Sequence, residues 1–174
     1  NIKFANLHTF PMDYALSLFG LTAVGASLMA HLSRKEPEKD EDVAAVWHTI
    51  FNARYGKWLA DRIAEFEFTP ERVRAELDTP RYRLSLRERA FKTILRNRVQ
   101  RGGILAAGAG LMKVGENGRG MASRWYPETL RTRIMAIVEV KPWIRFEQGD
   151  GVEIIRDNAD RPEAAFFIDP PYTV

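Results

Sequence analysis

The clearest chemistry lies at the end of the chain. Ala164-Ala165-Phe166-Phe167-Ile168 is an apolar run that reads as a buried strand of a parallel sheet, and Asp169-Pro170-Pro171-Tyr172 follows at once. Pro170 and Pro171 lack the amide donor a ladder needs, so the strand is expected to stop at Asp169. Open α/β folds place their ligands at the carboxyl edge of such strands. A carboxylate, rigid backbone carbonyls and the Tyr172 ring held there suit gripping a flat nitrogenous base and polarising its amino group.

A second signal is electrostatic. The net charge of +3 hides a segregation: residues 81 to 133 hold thirteen Lys or Arg against Glu88, Glu116 and Glu128, a balance of +10, and the remainder carries −7. Segregation of that size predicts one face for a polyanion. The basic block coincides with residues 102 to 120, which hold seven of the twelve glycines and read as a long loop, with a hairpin as one form it can take. Arg98, Arg101, Lys113, Arg119 and Arg124 are the candidate phosphate or base contacts to DNA. Gly108-Ala109-Gly110 with Lys113 lacks the GxxxxGK[ST] spacing of a phosphate loop. His8, His31 and His48 have no metal-ligand spacing, so no metal is expected.

The elements that must position these groups read mostly as helices in the middle of the chain. Val43, Val46, Trp47, Ile50 and Phe51 recur at helical spacing from Asp40 onward, and Trp58, Leu59, Ile63 and Phe66 share a face. Thr69 before Pro70 predicts an N-cap with proline at the first helical position, and the helix runs to about Leu77. Ser85-Leu86-Arg87-Glu88 fits a capping box ahead of Ala90, Phe91, Ile94 and Leu95. Pro127 opens another helix, Trp143 to Phe146 alternates as a strand, and Gly149-Asp150-Gly151 turns into a short helix.

The tetrapeptide Asp169-Pro170-Pro171-Tyr172 resembles the catalytic motif of the amino-methylating DNA methyltransferases, in the adenine-specific form. Glu38 to Trp47, Asn97-Arg98 with Gly102-Gly103-Ile104-Leu105, and Ser123 to Leu130 also look like that family, over roughly residues 20 to 174. Their order is similar to members with the cofactor motif first and the catalytic motif last. The resemblance implies an α/β, Rossmann-like methyltransferase core, incomplete here, carrying an inserted, mainly helical DNA-recognition subdomain. Residues 1–54 would be a partial cofactor-binding segment, 55–130 the basic target-recognition insertion, and 131–174 the return to the core. It implies methyl transfer from S-adenosylmethionine to the exocyclic amino group of adenine in double-stranded DNA. In that reaction the Asp169 carboxylate and Pro170 carbonyl would draw the amino nitrogen toward tetrahedral geometry, with Pro171 keeping the turn rigid and Tyr172 stacking on a flipped base. Asp150 would contact the cofactor's adenine, and Glu38, or nearly as well Asp40, its ribose hydroxyls. One departure stands out: Pro11-Met12-Asp13-Tyr14-Ala15-Leu16-Ser17 occupies the place of the family's Pro-Phe-x-Gly-Gly type segment. The alternative reading is a catalytically inactive DNA-binding remnant of such an enzyme.

The bulk numbers bound both readings. A length of 174 residues is about one domain, and 45% hydrophobic residues can bury a core. Residues 15 to 32 are the most apolar stretch, but Ser17, Gly20, Gly25, Ser27 and His31 interrupt it, short of the ~20 apolar residues of a membrane span. The absence of cysteine removes disulfides and thiolate metal sites and fits a cytoplasmic protein. Asn1 in place of methionine, and an end two residues beyond Tyr172, predict a longer parent chain. The residues give no sign either way of a companion restriction endonuclease.

Overall fold

The computed structural model describes residues 2–5, 37–103, 105, 108–115, 118–148 and 151–162. In chain order these form β1 (Ile2–Ala5), α1 (Pro37–Phe51), α2 (Tyr55–Ala64), α3 (Pro70–Asp78), α4 (Leu86–Val99), α5 (Pro127–Val140), β2 (Arg145–Gln148) and α6 (Gly151–Asn158). Short 3₁₀ turns lie at Arg81–Arg83, Arg101–Gly103, Gly120–Arg124 and Lys141–Trp143.

This is a mainly helical molecule, and the expected α/β, Rossmann-like core is corrected accordingly. Among the described residues the strands β1 and β2 pair antiparallel, with Ile2 opposite Gln148 and Phe4 opposite Phe146. A doubly wound core needs parallel strands joined through crossover helices. The strand expected at Trp143 to Phe146 starts later than its alternation suggests. Pro142 presets its own φ and lacks an amide donor, and Lys141–Trp143 winds as a 3₁₀ turn before the strand begins. The strand expected at residues 164 to 168 lies outside the described residues.

The helical periodicities translate directly into packing. Val43, Val46 and Ile50 of α1 are buried, as are Leu59, Ala60 and Ile63 of α2, Phe91, Ile94, Leu95 and Val99 of α4, and Leu130, Ile134 and Ile137 of α5. One apolar cluster draws on all four helices, α1 lying chiefly on α4 and α2 on α5. Gly56 permits the tight approach of α2 to its neighbours, since a Cβ built there would lie 2.6 Å from Cγ2 of Val138 and 2.7 Å from the carbonyl oxygen of Ile50. Phe66 meets Phe91 edge-on at 5.2 Å and Trp125 at 5.8 Å between centroids, so the aromatic end of the core ties α4 to the segment just before α5.

The helix starts follow their capping residues. The Thr69 hydroxyl accepts from the Arg72 amide at 3.2 Å, with Pro70 at the first helical position. At α4 the Glu88 carboxylate accepts from the Ser85 amide at 2.8 Å and from the Ser85 hydroxyl at 2.6 Å. These two bonds, the hydroxyl first, hold the Glu88 carboxyl below the usual glutamate range.

Candidate nucleic-acid interface

The C-terminal end of α4 leads into a loop that gathers the basic candidates. The glycine-rich segment turns back as a short hairpin: Gln100 bridges Leu111 antiparallel, the Arg101 amide donates to the Gly110 carbonyl at 3.0 Å, and the Met112 amide donates to the Val99 carbonyl at 2.9 Å. This places Arg101 at the root of the hairpin and Lys113 two residues beyond the bridge. The Gly120 amide then donates to the Val114 carbonyl at 2.7 Å, bringing Arg119 beside Lys113. Arg101, Lys113 and Arg119 are all exposed.

Arg124 joins them through Gly103. The Nδ2 of buried Asn97 donates to the Gly103 carbonyl at 2.8 Å and pins the turn against α4. Gly103 has φ +70°, and a Cβ built on it would lie 2.9 Å and 3.1 Å from the two terminal nitrogens of Arg124. Only glycine suits both the left-handed backbone and the guanidinium packed over it. Arg98 occupies the last turn of α4 on the same side. Burial, and then the charges of Arg124 and Arg133, pull its pKa down to about 10. The five sequence-derived candidates, Arg98, Arg101, Lys113, Arg119 and Arg124, therefore lie in the last turn of α4 and in the segment that follows it as far as the Gly120–Arg124 turn, and none is ion-paired with a carboxylate among the described residues.

Residues outside that set complete the surface. An open groove of about 760 Å³ runs beside the hairpin, lined by Phe68, Pro70, Arg74, Gly110, Leu111, Met112, Lys113, Gly118, Arg119, Gly120, Met121 and Ala122. Among the described residues its side chains include three cations and no acid. Tyr126 is 46% exposed, and the Arg119 guanidinium lies over its ring at 5.5 Å. Sequence reading missed Arg74 because it falls before the basic block, and Phe68 and Tyr126 because a single aromatic just ahead of a helix carries no binding signal. Arg133 lay within the basic block but had no local pattern to single it out.

Asp169, Pro170, Pro171, Tyr172 and Asp150 lie outside the described residues. Glu38 and Asp40 fall in the first turn of α1 and not at the end of a strand. Pro37 at the first helical position and a run of acids at the positive end of the helix dipole account for that start. Among the described residues there is no cluster of metal ligands, and no helix is long and apolar enough to cross a membrane.

Comparison with known proteins finds no matching family model, no matching curated protein and no matching solved structure.

Proposed function

We propose that the helical unit binds double-stranded DNA through the loop cluster at the end of α4. The observation that supports this most is the gathering of Arg98, Arg101, Lys113, Arg119 and Arg124 at one edge, with no carboxylate partner among the described residues. Exposed arginines and lysines on such an edge can neutralise phosphates and release condensed counterions. The adjoining groove adds Arg74 and the flat, apolar surfaces of Phe68, Met112 and Met121. Titration of a labelled duplex should saturate at low salt and weaken steeply as salt rises. Absence of binding at low salt, or binding indifferent to salt, removes this reading.

The second reading is adenine methylation with S-adenosylmethionine, and it rests on the residues Asp169-Pro170-Pro171-Tyr172 and the family-like stretches alone. In it the basic edge would present DNA to a catalytic motif that lies outside the described residues. The cytoplasm is the compartment we propose, on the absence of cysteine. In an active form of the protein, Asp169→Ala should abolish transfer of labelled methyl groups while leaving duplex affinity within a few-fold. Near-normal turnover in that variant would remove Asp169 from the chemistry.

A further inference from the structure

The groove beside the hairpin carries surfaces that paired DNA does not use. Phe68, Met112 and Met121 line it and are half-buried. Phe68 leans on Trp125 at 5.3 Å between centroids and meets Phe66 edge-on at 6.3 Å, so the core backs its ring. The Ser123 hydroxyl donates to the Met112 sulfur at 3.6 Å and steadies the thioether. Inside a duplex the base faces are stacked on one another, and a protein reaches base edges. An unpaired base offers its whole face to a ring or a thioether. Arg74, Lys113 and Arg119 line the same groove, are exposed, and have no carboxylate partner among the described residues. Gly110 is an independent sign. Its φ lies outside the left-handed region, and among the described residues a Cβ built on it meets nothing within 4 Å. Neither its backbone conformation nor its described neighbours require glycine, which costs the folded chain conformational entropy. Its missing side chain leaves bare backbone on the groove wall, open to close approach by a ligand.

We infer that this groove holds an unpaired nucleotide beside the duplex, so that the protein favours DNA whose double helix runs out into a single strand. The inference rests on the DNA-binding reading and adds to it the form of DNA that is bound. The base lies against Phe68 and the two methionines, the strand passes over Gly110, and Arg74, Lys113 and Arg119 face its phosphates. A volume of about 760 Å³ falls within the roughly 300–1,000 Å³ of small-ligand sites, which suits a nucleotide and not a double helix. A positively charged groove with an aromatic surface for a base is the combination that single strands are held by.

Equilibrium binding of the whole chain to two labelled duplexes of one paired sequence, blunt or with a short single-stranded overhang, tests this. Wild type should bind the overhang form about ten-fold more tightly, the gain from stacking one base. An overhang of abasic sites, with the same phosphates and no bases, should lose most of that gain. Gly110→Val should bring the overhang and blunt affinities together, because its side chain fills the approach to the backbone. Arg74→Gln, an exposed change on α3, should narrow the same gap and carries the comparison if Gly110→Val does not fold. Equal binding of blunt and overhang forms by wild type, or an abasic overhang as good as a normal one, overturns the groove and leaves the duplex reading intact. A preference that both variants keep places the single strand elsewhere and overturns it too. Oligoglutamate that displaces the overhang as well as a single-stranded oligonucleotide of equal charge would assign the groove to an acidic peptide and overturn the nucleotide. Binding of the single strand with none of the blunt duplex would keep the groove and overturn the duplex reading, and no binding of any form would overturn both.

Discussion

Two arginine-rich regions of α4 and its surroundings meet different fates. On one side Arg81 pairs with Glu41 and, at 3.3 Å, with Asp42; Arg89 approaches Glu41 at 3.9 Å, and Arg96 approaches Asp42 at 3.7 Å. Those two acids belong to α1, some forty residues earlier than Arg81. On the other side, past the end of α4, Arg98, Arg101, Lys113, Arg119 and Arg124 have no carboxylate partner among the described residues. The +10 balance of residues 81 to 133 therefore overstates the field a ligand would meet. Arg131 is likewise matched, at 3.5 Å from Asp61. Arg87 lies over the ring of Trp58 at 4.7 Å, and Lys92 donates to the Thr79 carbonyl at 2.6 Å. Charge that folding has already paired serves the scaffold, and charge left at the hairpin edge is available to a polyanion.

The comparison can be broken most severely through the helix that carries both regions. Phe91 is buried on α4, edge-on to Phe66 and under the Arg62 guanidinium at 4.4 Å. Phe91→Ala should cost about 3–5 kcal/mol of stability in urea unfolding and should loosen the paired face and the free edge together. Asp42→Ala comes next. It strips Arg81 and Arg96 of a shared, half-buried partner and should cost about 1–3 kcal/mol, with duplex affinity unchanged or slightly raised. If it instead abolished DNA binding, the two regions would not be separable.

Glu88→Gln should have a smaller effect, about 0.5–1 kcal/mol from the weakened cap. Its carboxyl is held low in the folded state, so the stabilisation is complete above the ordinary glutamate range and is lost as pH falls through the lowered value. A stability profile under acid should show the wild type losing ground to Glu88→Gln below that range, and parallel profiles would contradict the cap's role. Smallest on stability is the triple change Arg101→Ala, Lys113→Ala and Arg119→Ala, all at exposed sites. It should shift unfolding by no more than about 0.5 kcal/mol.

Local signals were legible where one residue type meets one backbone need. Thr69-Pro70 and Ser85 with Glu88 marked two helix starts, and the apolar stripes of residues 43 to 50 and 90 to 95 marked two buried faces. The glycines of 102 to 120 marked the loop, whose hairpin root at Gln100 and Leu111 then gathered the basic candidates. Long-range properties were not legible. Nothing near Arg81 in sequence announces Glu41, and nothing in Arg98 announces that folding will bury its Nε without a hydrogen-bond partner. The α/β core was expected from the run at residues 164 to 168 and from the family resemblance; alternation at Trp143 to Phe146 gives strand character but not the direction of its partner, and β1 pairs with it antiparallel.

The most direct test of the central claim compares salt slopes. Affinity for a short duplex would be measured across a salt series for wild type and for the triple variant Arg101→Ala, Lys113→Ala, Arg119→Ala, with Asp42→Ala as the control from the paired region. Each lost phosphate contact should flatten the slope of log K against log salt by about 0.9. The triple variant should therefore be flatter by up to ~3 units while Asp42→Ala keeps the wild-type slope. An unchanged slope in the triple variant would contradict the account and leave the hairpin edge as an ordinary solvated surface.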